Sequence, residues 1–213
     1  MVSDETAKAG AVAVAETAKT VGKAIDATSG FGGWLKQTLG TIPEDLLGIA
    51  GGDWLHQQRQ RNVLAMKAKT EEIRLRIGAG PPNAPSPSVV MPLLIGAADE
   101  SRPELQDLWA ALLASALQPD GGNRVRRAFF ETLKAMEPDD ARLFRAHMLS
   151  PPAAGEYTER IDRQRAIEAS AKLTGTALTI SWDALTKLGL ILADPPGFYT
   201  TPYGQEFWRA CNP

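Results

Sequence analysis

The chain has 213 residues, 44% of them hydrophobic and 23% charged, the composition of a globular protein rather than a disordered one. A formal net charge of -2 gives no overall attraction to nucleic acid or acidic lipid, so any such binding needs a local basic patch. The single cysteine, Cys211, excludes an intramolecular disulfide and a multi-thiolate metal site, and a reducing cytoplasm is the expected compartment.

The first residues, to Ala27, mix acids and bases and lack the basic start and apolar stretch of a signal peptide, so export is not expected. Ser3 to Thr28 is rich in alanine, with Val14, Ala18, Val21 and Ile25 along one side of a helix. That stripe buries little area, so the helix needs a partner, and another copy of the chain would serve. Gly30, Gly32, Gly33 and Gly40 then surround Phe31, Trp34, Leu35 and Leu39. This segment reads first as a helix-to-helix joint whose aromatics fill a core, and second as a contact for a membrane interface or a partner.

Thr41-Ile-Pro-Glu44 has the spacing of a capping box and predicts a long helix running to about Gly78. Leu46, Ala50 and Trp54 stand four apart, and Val63, Met66, Thr70, Ile73 and Ile77 follow in near-heptad order; Gly48, Gly51 and Gly52 weaken the first half. Arg59, Arg61, Lys67, Lys69, Arg74 and Arg76 make the second half basic against Glu71 and Glu72. Such a run reads as a solvated helix face, with contact to an anionic surface as the alternative.

Gly78 to Ser86 is a clear break, predicting a helical arm over residues 1–78, a Pro-rich linker over 79–87 and a compact helical domain over 88–213. The charge-free run from Ile77 to Ala98 contains Pro81, Pro82, Pro85, Pro87 and Pro92, so it reads as linker plus short helix rather than a membrane span. Ser86 and Pro87 introduce a helix through Val89, Val90, Leu93, Leu94 and Ile95. Ser101-Arg-Pro-Glu104 is a second capping box, after which Leu105, Leu108, Trp109, Leu112, Leu113, Ala116 and Leu117 keep the helical repeat. Asn123 is placed to cap a helix carrying Val125, Phe129, Leu133 and Met136, and Pro138 begins another through Leu143, Phe144 and Met148. Asp139 and Asp140, at the start of that helix, read as partners of its dipole rather than as a catalytic pair.

Thr158 to Thr174 and Thr176 to Leu188 are predicted helical. Leu190 and Ile191 then open a strand, Asp194-Pro-Pro-Gly197 a turn, and Phe198-Tyr-Thr200 a second strand before Thr201 and Pro202 restart a helix. Helix followed by a tight hairpin predicts a winged-helix-like module over residues 156–213, with Thr176 to Leu188 in the recognition position. The fold class expected is therefore mainly α, with one short β-hairpin.

The segments Leu105-Gln-Asp-Leu-Trp-Ala-Ala-Leu-Leu-Ala-Ser-Ala-Leu-Gln-Pro-Asp120, Leu185-Thr-Lys-Leu-Gly-Leu-Ile191 and Thr201-Pro-Tyr-Gly-Gln-Glu-Phe-Trp-Arg-Ala-Cys211 resemble the abortive infection alpha (Abi-alpha) family of bacterial proteins. The Gly-Phe-Gly-Gly-Trp34 segment before a basic helix is similar as well. The resemblance implies a role in defence against bacteriophage and brings no catalytic residues with it.

The residues offer no catalytic set of their own. His56 and His147 stand in segments expected to lie apart, no Walker-type or dinucleotide glycine loop is present, and adjacent acids such as Glu71-Glu72 and Asp99-Glu100 point to different sides of a helix. No cofactor, metal or small-molecule substrate is expected. Three functions remain open: an interaction protein acting through a partner or self-association along the arm; a membrane-perturbing effector using Phe31, Trp34, Leu35 and Leu39 with the basic run, peripheral at the inner membrane; and a DNA-binding winged helix using Arg124, Arg126, Arg127 and Lys187.

Overall fold

The helix carrying the basic run, α1 (Asp53–Arg76), opens the described part of the fold. A computed structural model describes residues 53–83, 85–119, 121–151, 157–195 and 197–213, all within one unit, Leu47–Pro213. Then come α2 (Pro87–Asp99), α3 (Pro103–Ala116), the single-turn α4 (Gly121–Arg124), α5 (Arg127–Ala135), α6 (Pro138–Leu149), α7 (Tyr157–Ala171) and α8 (Gly175–Lys187). Strands β1 (Ile191–Asp194) and β2 (Gly197–Thr200) and a last helix, α9 (Pro202–Cys211), complete it. The fold is mainly helical with one short antiparallel hairpin near the C-terminus, the class the apolar periodicities predict.

Helix α3 is the axis of the core. Its regular apolar spacing buries Leu105, Trp109, Leu112, Leu113 and Leu117 almost completely, and Ala110, Ala111 and Ala114 make the rest of its surface small and apolar. Helices α1, α2, α5, α6 and α9 pack against it. Each large side chain so buried stabilises the fold by about 1.5–3 kcal/mol.

The proline-rich break allows the preceding helix to dock or to extend, and residues 53–76 dock. Val63, Met66 and Thr70 of the near-heptad stripe are buried against α2 and α3. Thr70 Oγ1 donates to Met66 O at 2.8 Å and also lies 3.2 Å from Ala110 O of α3, while Asn62 Nδ2 donates to Ala98 O at 2.8 Å. The stripe is thus occupied within the chain, and any self-association along α1 must use another face.

Two expected caps do not form. Helix α3 begins at Pro103, whose fixed φ and missing N–H suit the first helical position, so Arg102 rather than Ser101 is the N-cap. Glu100 takes over the capping work, accepting Arg102 N–H at 2.8 Å and the Arg102 guanidinium at 2.9 Å from both Nε and Nη2. Near Asn123 the chain makes only the turn α4 and then extends at Arg126 before α5 begins. The apolar stripe survives this break: Val125, Phe129, Leu133 and Met136 are all buried. At α6, Asp140 Oδ2 accepts Glu137 N–H at 2.9 Å and Asp139 pairs with Arg142, so both acids serve the helix start.

Helix α8 stops at Gly189, whose φ of +70° places it in the left-handed region. Leu190 N–H returns to Leu185 O at 3.1 Å and Gly189 N–H to Thr186 O at 3.0 Å, with Leu185 and Leu190 both fully buried. This stop aims the chain into β1, which pairs with β2 in the register Ile191–Thr200 to Asp194–Gly197. Thr201 caps α9 by accepting Gly204 N–H at 2.9 Å. Phe207 of α9 then seats its ring against Phe129 and Phe144, with centroids 5.5 and 5.9 Å away.

Candidate functional site

The C-terminal module is held together by a buried polar and aromatic cluster centred on His147 of α6. The alternation of β2 turns Phe198 and Thr200 to one side. Phe198 stacks on Trp182 of α8, the rings 4.1 Å apart and 4° from parallel, and His147 meets Trp182 edge-on at 5.9 Å. His147 Nε2 lies 3.0 Å from Thr200 Oγ1, whereas His147 Nδ1 and Trp182 Nε1 are buried without a hydrogen-bond partner. Arg163 of α7 donates to Pro151 O at 2.8 Å, His147 O at 3.1 Å and Phe198 O at 3.4 Å, tying the end of α6 to the hairpin. Burial, and then the charge of Arg163, push the His147 imidazole down to about 4; burial lowers Arg163 from its ordinary value too. A neutral imidazole with one bonded nitrogen can orient a strand. Its hydrogen-bond partner is the Thr200 hydroxyl, which donates to Met148 Sδ at 3.3 Å, and no carboxylate among the described residues bonds the imidazole to make it a base, so the geometry is that of a joint.

Outside this joint, the surface of α8 carries little net charge. Thr176, Ala177, Thr179, Ile180, Asp183 and Lys187 are the exposed side chains along α8, and Ile180 is 60% exposed. On the hairpin, Leu192 and Tyr199 face each other across the strands and are both 47% exposed. Arg160, which could reach outward from α7, is tied to Asp194 at 2.7 Å.

The sequence model of one family, abortive infection alpha, matches residues 58–196. The chain belongs to the abortive infection alpha family. Nothing among curated proteins or solved structures matches it. The Abi-alpha match runs from the body of α1 to the hairpin turn, so it contains the His147–Trp182 contact but ends before Phe198 and Thr200, which close the cluster.

The Abi-alpha chain does not gather its basic run into one patch. Arg59 pairs with Asp99 and Lys69 with Asp107, each at 2.6 Å, and Arg74 is buried with Nη2 on Gly80 O at 2.6 Å. Arg61 donates to Gln58 at 2.9 Å, Lys67 stands on the flank shared with Arg74, and Arg76 is exposed on the flank shared with Lys69. Lys69 and Arg76 border a groove of about 410 Å³ floored by Leu108, Phe144 and Trp208, in which Glu104 and Asp107 offset Arg142 and Arg145. Arg124, Arg126 and Arg127 are exposed around α4 and the start of α5, elements that pack on α2 and α3, whereas Lys187 ends α8, which packs on α6 and β1. Phe31, Trp34, Leu35 and Leu39 lie outside the described residues. Burial pushes the Cys211 thiol up, so it is a poor nucleophile. Among the described residues no helix is long and apolar enough to cross a membrane.

Sequence reasoning missed the His147 cluster because its members come from four distant elements. The one available signal was the alternation of Phe198 and Thr200 on a short strand, which marks an inward face without naming what it meets.

Proposed function

We propose that this Abi-alpha protein is a non-enzymatic effector of phage defence that acts through protein–protein contacts made by α8 and the hairpin. The order α6, α7, α8, hairpin supports the winged-helix-like reading, under which α8 takes the recognition position, where a DNA reader needs basic and amide side chains. The observation that carries the reading is the exposed surface of α8, where Lys187 is balanced by Asp183 and the large apolar side chain in solvent is Ile180. The exposed Leu192–Tyr199 pair extends the same apolar character to the hairpin. Of the module's other cations, Arg160 and Arg163 are engaged by Asp194 and by backbone carbonyls, Arg165 and Arg209 pair with Asp162 and Glu206 on their own helices, and Lys172 is exposed at the turn before α8. The free, buried Cys211 suits a reducing cytoplasm.

The test is protection in cells. Wild type, an Ile180→Glu/Tyr199→Glu variant and an Arg126→Glu/Arg127→Glu/Lys187→Glu variant are expressed in a bacterial host and challenged with a phage that wild type restricts. Loss of protection in the first variant and its retention in the second is expected. The opposite pattern would replace the protein-contact reading with nucleic-acid binding.

A further inference from the structure

Helix α1 carries a second periodic stripe, on the side opposite the one it buries. Trp54, Arg61, Ala68 and Leu75 recur every seventh residue, and Gln57, Leu64 and Glu71 fall three residues after the first three of them. This is the spacing that keeps one helix face against another. Trp54, Leu64 and Leu75 are 70%, 63% and 79% exposed, so the three large apolar side chains of that face are all in solvent. On ordinary surfaces single exposed apolar residues need no explanation; three on one helix in register with a heptad do.

The charges of the same face are ordered along the helix. Arg61 lies toward its start, Glu71 and Glu72 toward its end. Neither glutamate has an ion-pair partner among the described residues, and Glu71 Oε1 is buried without a hydrogen bond. Lys69, Glu72 and Arg76 all line the groove beside α3, so Glu72 sits at the edge of this face. Two copies of α1 laid parallel would set Arg61 on Arg61 and the glutamates on each other. Laid antiparallel, they set each Arg61 beside the other's Glu71 and Glu72, and each Trp54 near the other's Leu75.

We propose that a second copy of this chain packs on the outward face of α1, the two helices running antiparallel and crossing near Leu64 and Ala68. The twofold axis between them makes the contact self-complementary. A pair of helices about 36 Å long lies at the small end of specific interfaces, so the association is in the micromolar range. It is separate from the α8 surface, and each can fail without the other.

Light scattering on the full-length chain at roughly 50 µM, a concentration suited to a small interface, tests it. Wild type is expected at the mass of two chains, and Leu64→Glu/Leu75→Glu at the mass of one. Arg61→Glu alone, or Glu71→Lys/Glu72→Lys alone, weakens the dimer about fivefold or more, and combining all three restores it. Circular dichroism melting confirms that the variants stay folded, as the exposure of these positions implies. Monomeric wild type overturns the proposal. So does a dimer that Leu64→Glu/Leu75→Glu leaves intact, which would place the contact elsewhere in the chain.

Discussion

Acid should loosen the C-terminal module through His147. In the folded chain the imidazole is 1% exposed, bonded only through Nε2, and lies beside the guanidinium of Arg163, and its pKa falls from the ordinary 6.5 to about 4. Above pH 6.5 it is neutral in both folded and unfolded chains and costs nothing. Between 6.5 and 4 the unfolded chain binds a proton that the folded chain refuses, so stability falls as pH falls. At about 1.4 kcal/mol for each pH unit in that window the loss reaches about 3 kcal/mol, and below it no more accrues from this residue. Urea unfolding of wild type and His147→Gln from about pH 7.5 to about pH 4.5, followed by circular dichroism, isolates the effect because the carboxylates cancel in the difference. The variant starts less stable, having lost the ring's packing on Trp182, and the gap should narrow by about 2–3 kcal/mol over that range. A gap constant with pH would refute the argument that this imidazole is held neutral.

Three further outcomes follow from packing. A Cβ at Gly204 would fall far inside contact with the Leu190 carbonyl oxygen, so Gly204→Ala should cost about 3 kcal/mol and lower the melting temperature measured by calorimetry. A Cβ at Gly96 would meet the buried Trp109 ring; Gly96→Ala should cost about 1–3 kcal/mol by urea unfolding, and less when Trp109→Phe makes room, a coupling that a double-mutant cycle reads directly. Glu100→Gln removes the carboxylate that caps α3 and binds Arg102, costing about 1–3 kcal/mol at neutral pH. Burial raises the Glu100 carboxyl, but the hydrogen bonds and charge of Arg102 together outweigh it and hold the group below its usual range, so its contribution is present above the unfolded value of 4.5 and fades as pH falls below it; the wild-type advantage over the variant should shrink in that acid range.

How far the sequence could be read depended on how local the deciding contact was. Helix α3 was legible because Leu105, Trp109, Leu112 and Leu113 repeat at helical spacing and every one is buried. The hairpin was legible because the Asp194-Pro-Pro-Gly197 turn sits between two short apolar strands. The start of α3 was misread because Ser101 matches a capping box locally, while Pro103 and Glu100 offer a competing arrangement that no two-residue rule ranks. The basic run was legible as a composition and not as a surface. Whether Arg59 and Lys69 face solvent or Asp99 and Asp107 depends on α1 docking on α2 and α3, contacts about forty residues away in sequence. His147 was the hardest case: nothing near it in the chain announces Thr200, Trp182 or Arg163.

These distant contacts are what hold α8 and the hairpin in place. The two guanidinium groups beside the hairpin are engaged within the module, Arg160 by Asp194 and Arg163 by three backbone carbonyls. The last helix then locks the hairpin to the core. Ser115 Oγ of α3 donates to Ala210 O at 2.6 Å, Thr132 Oγ1 of α5 lies 2.7 Å from the Tyr203 hydroxyl, and Phe207 fills the space between α5 and α6. Residues 197–213 lie beyond the family match, yet they supply one face of the His147 cluster and the aromatic plug beneath it. The outward side chains of Ile180, Leu192 and Tyr199 reach solvent from α8 and the hairpin, elements whose inner faces are held by these contacts.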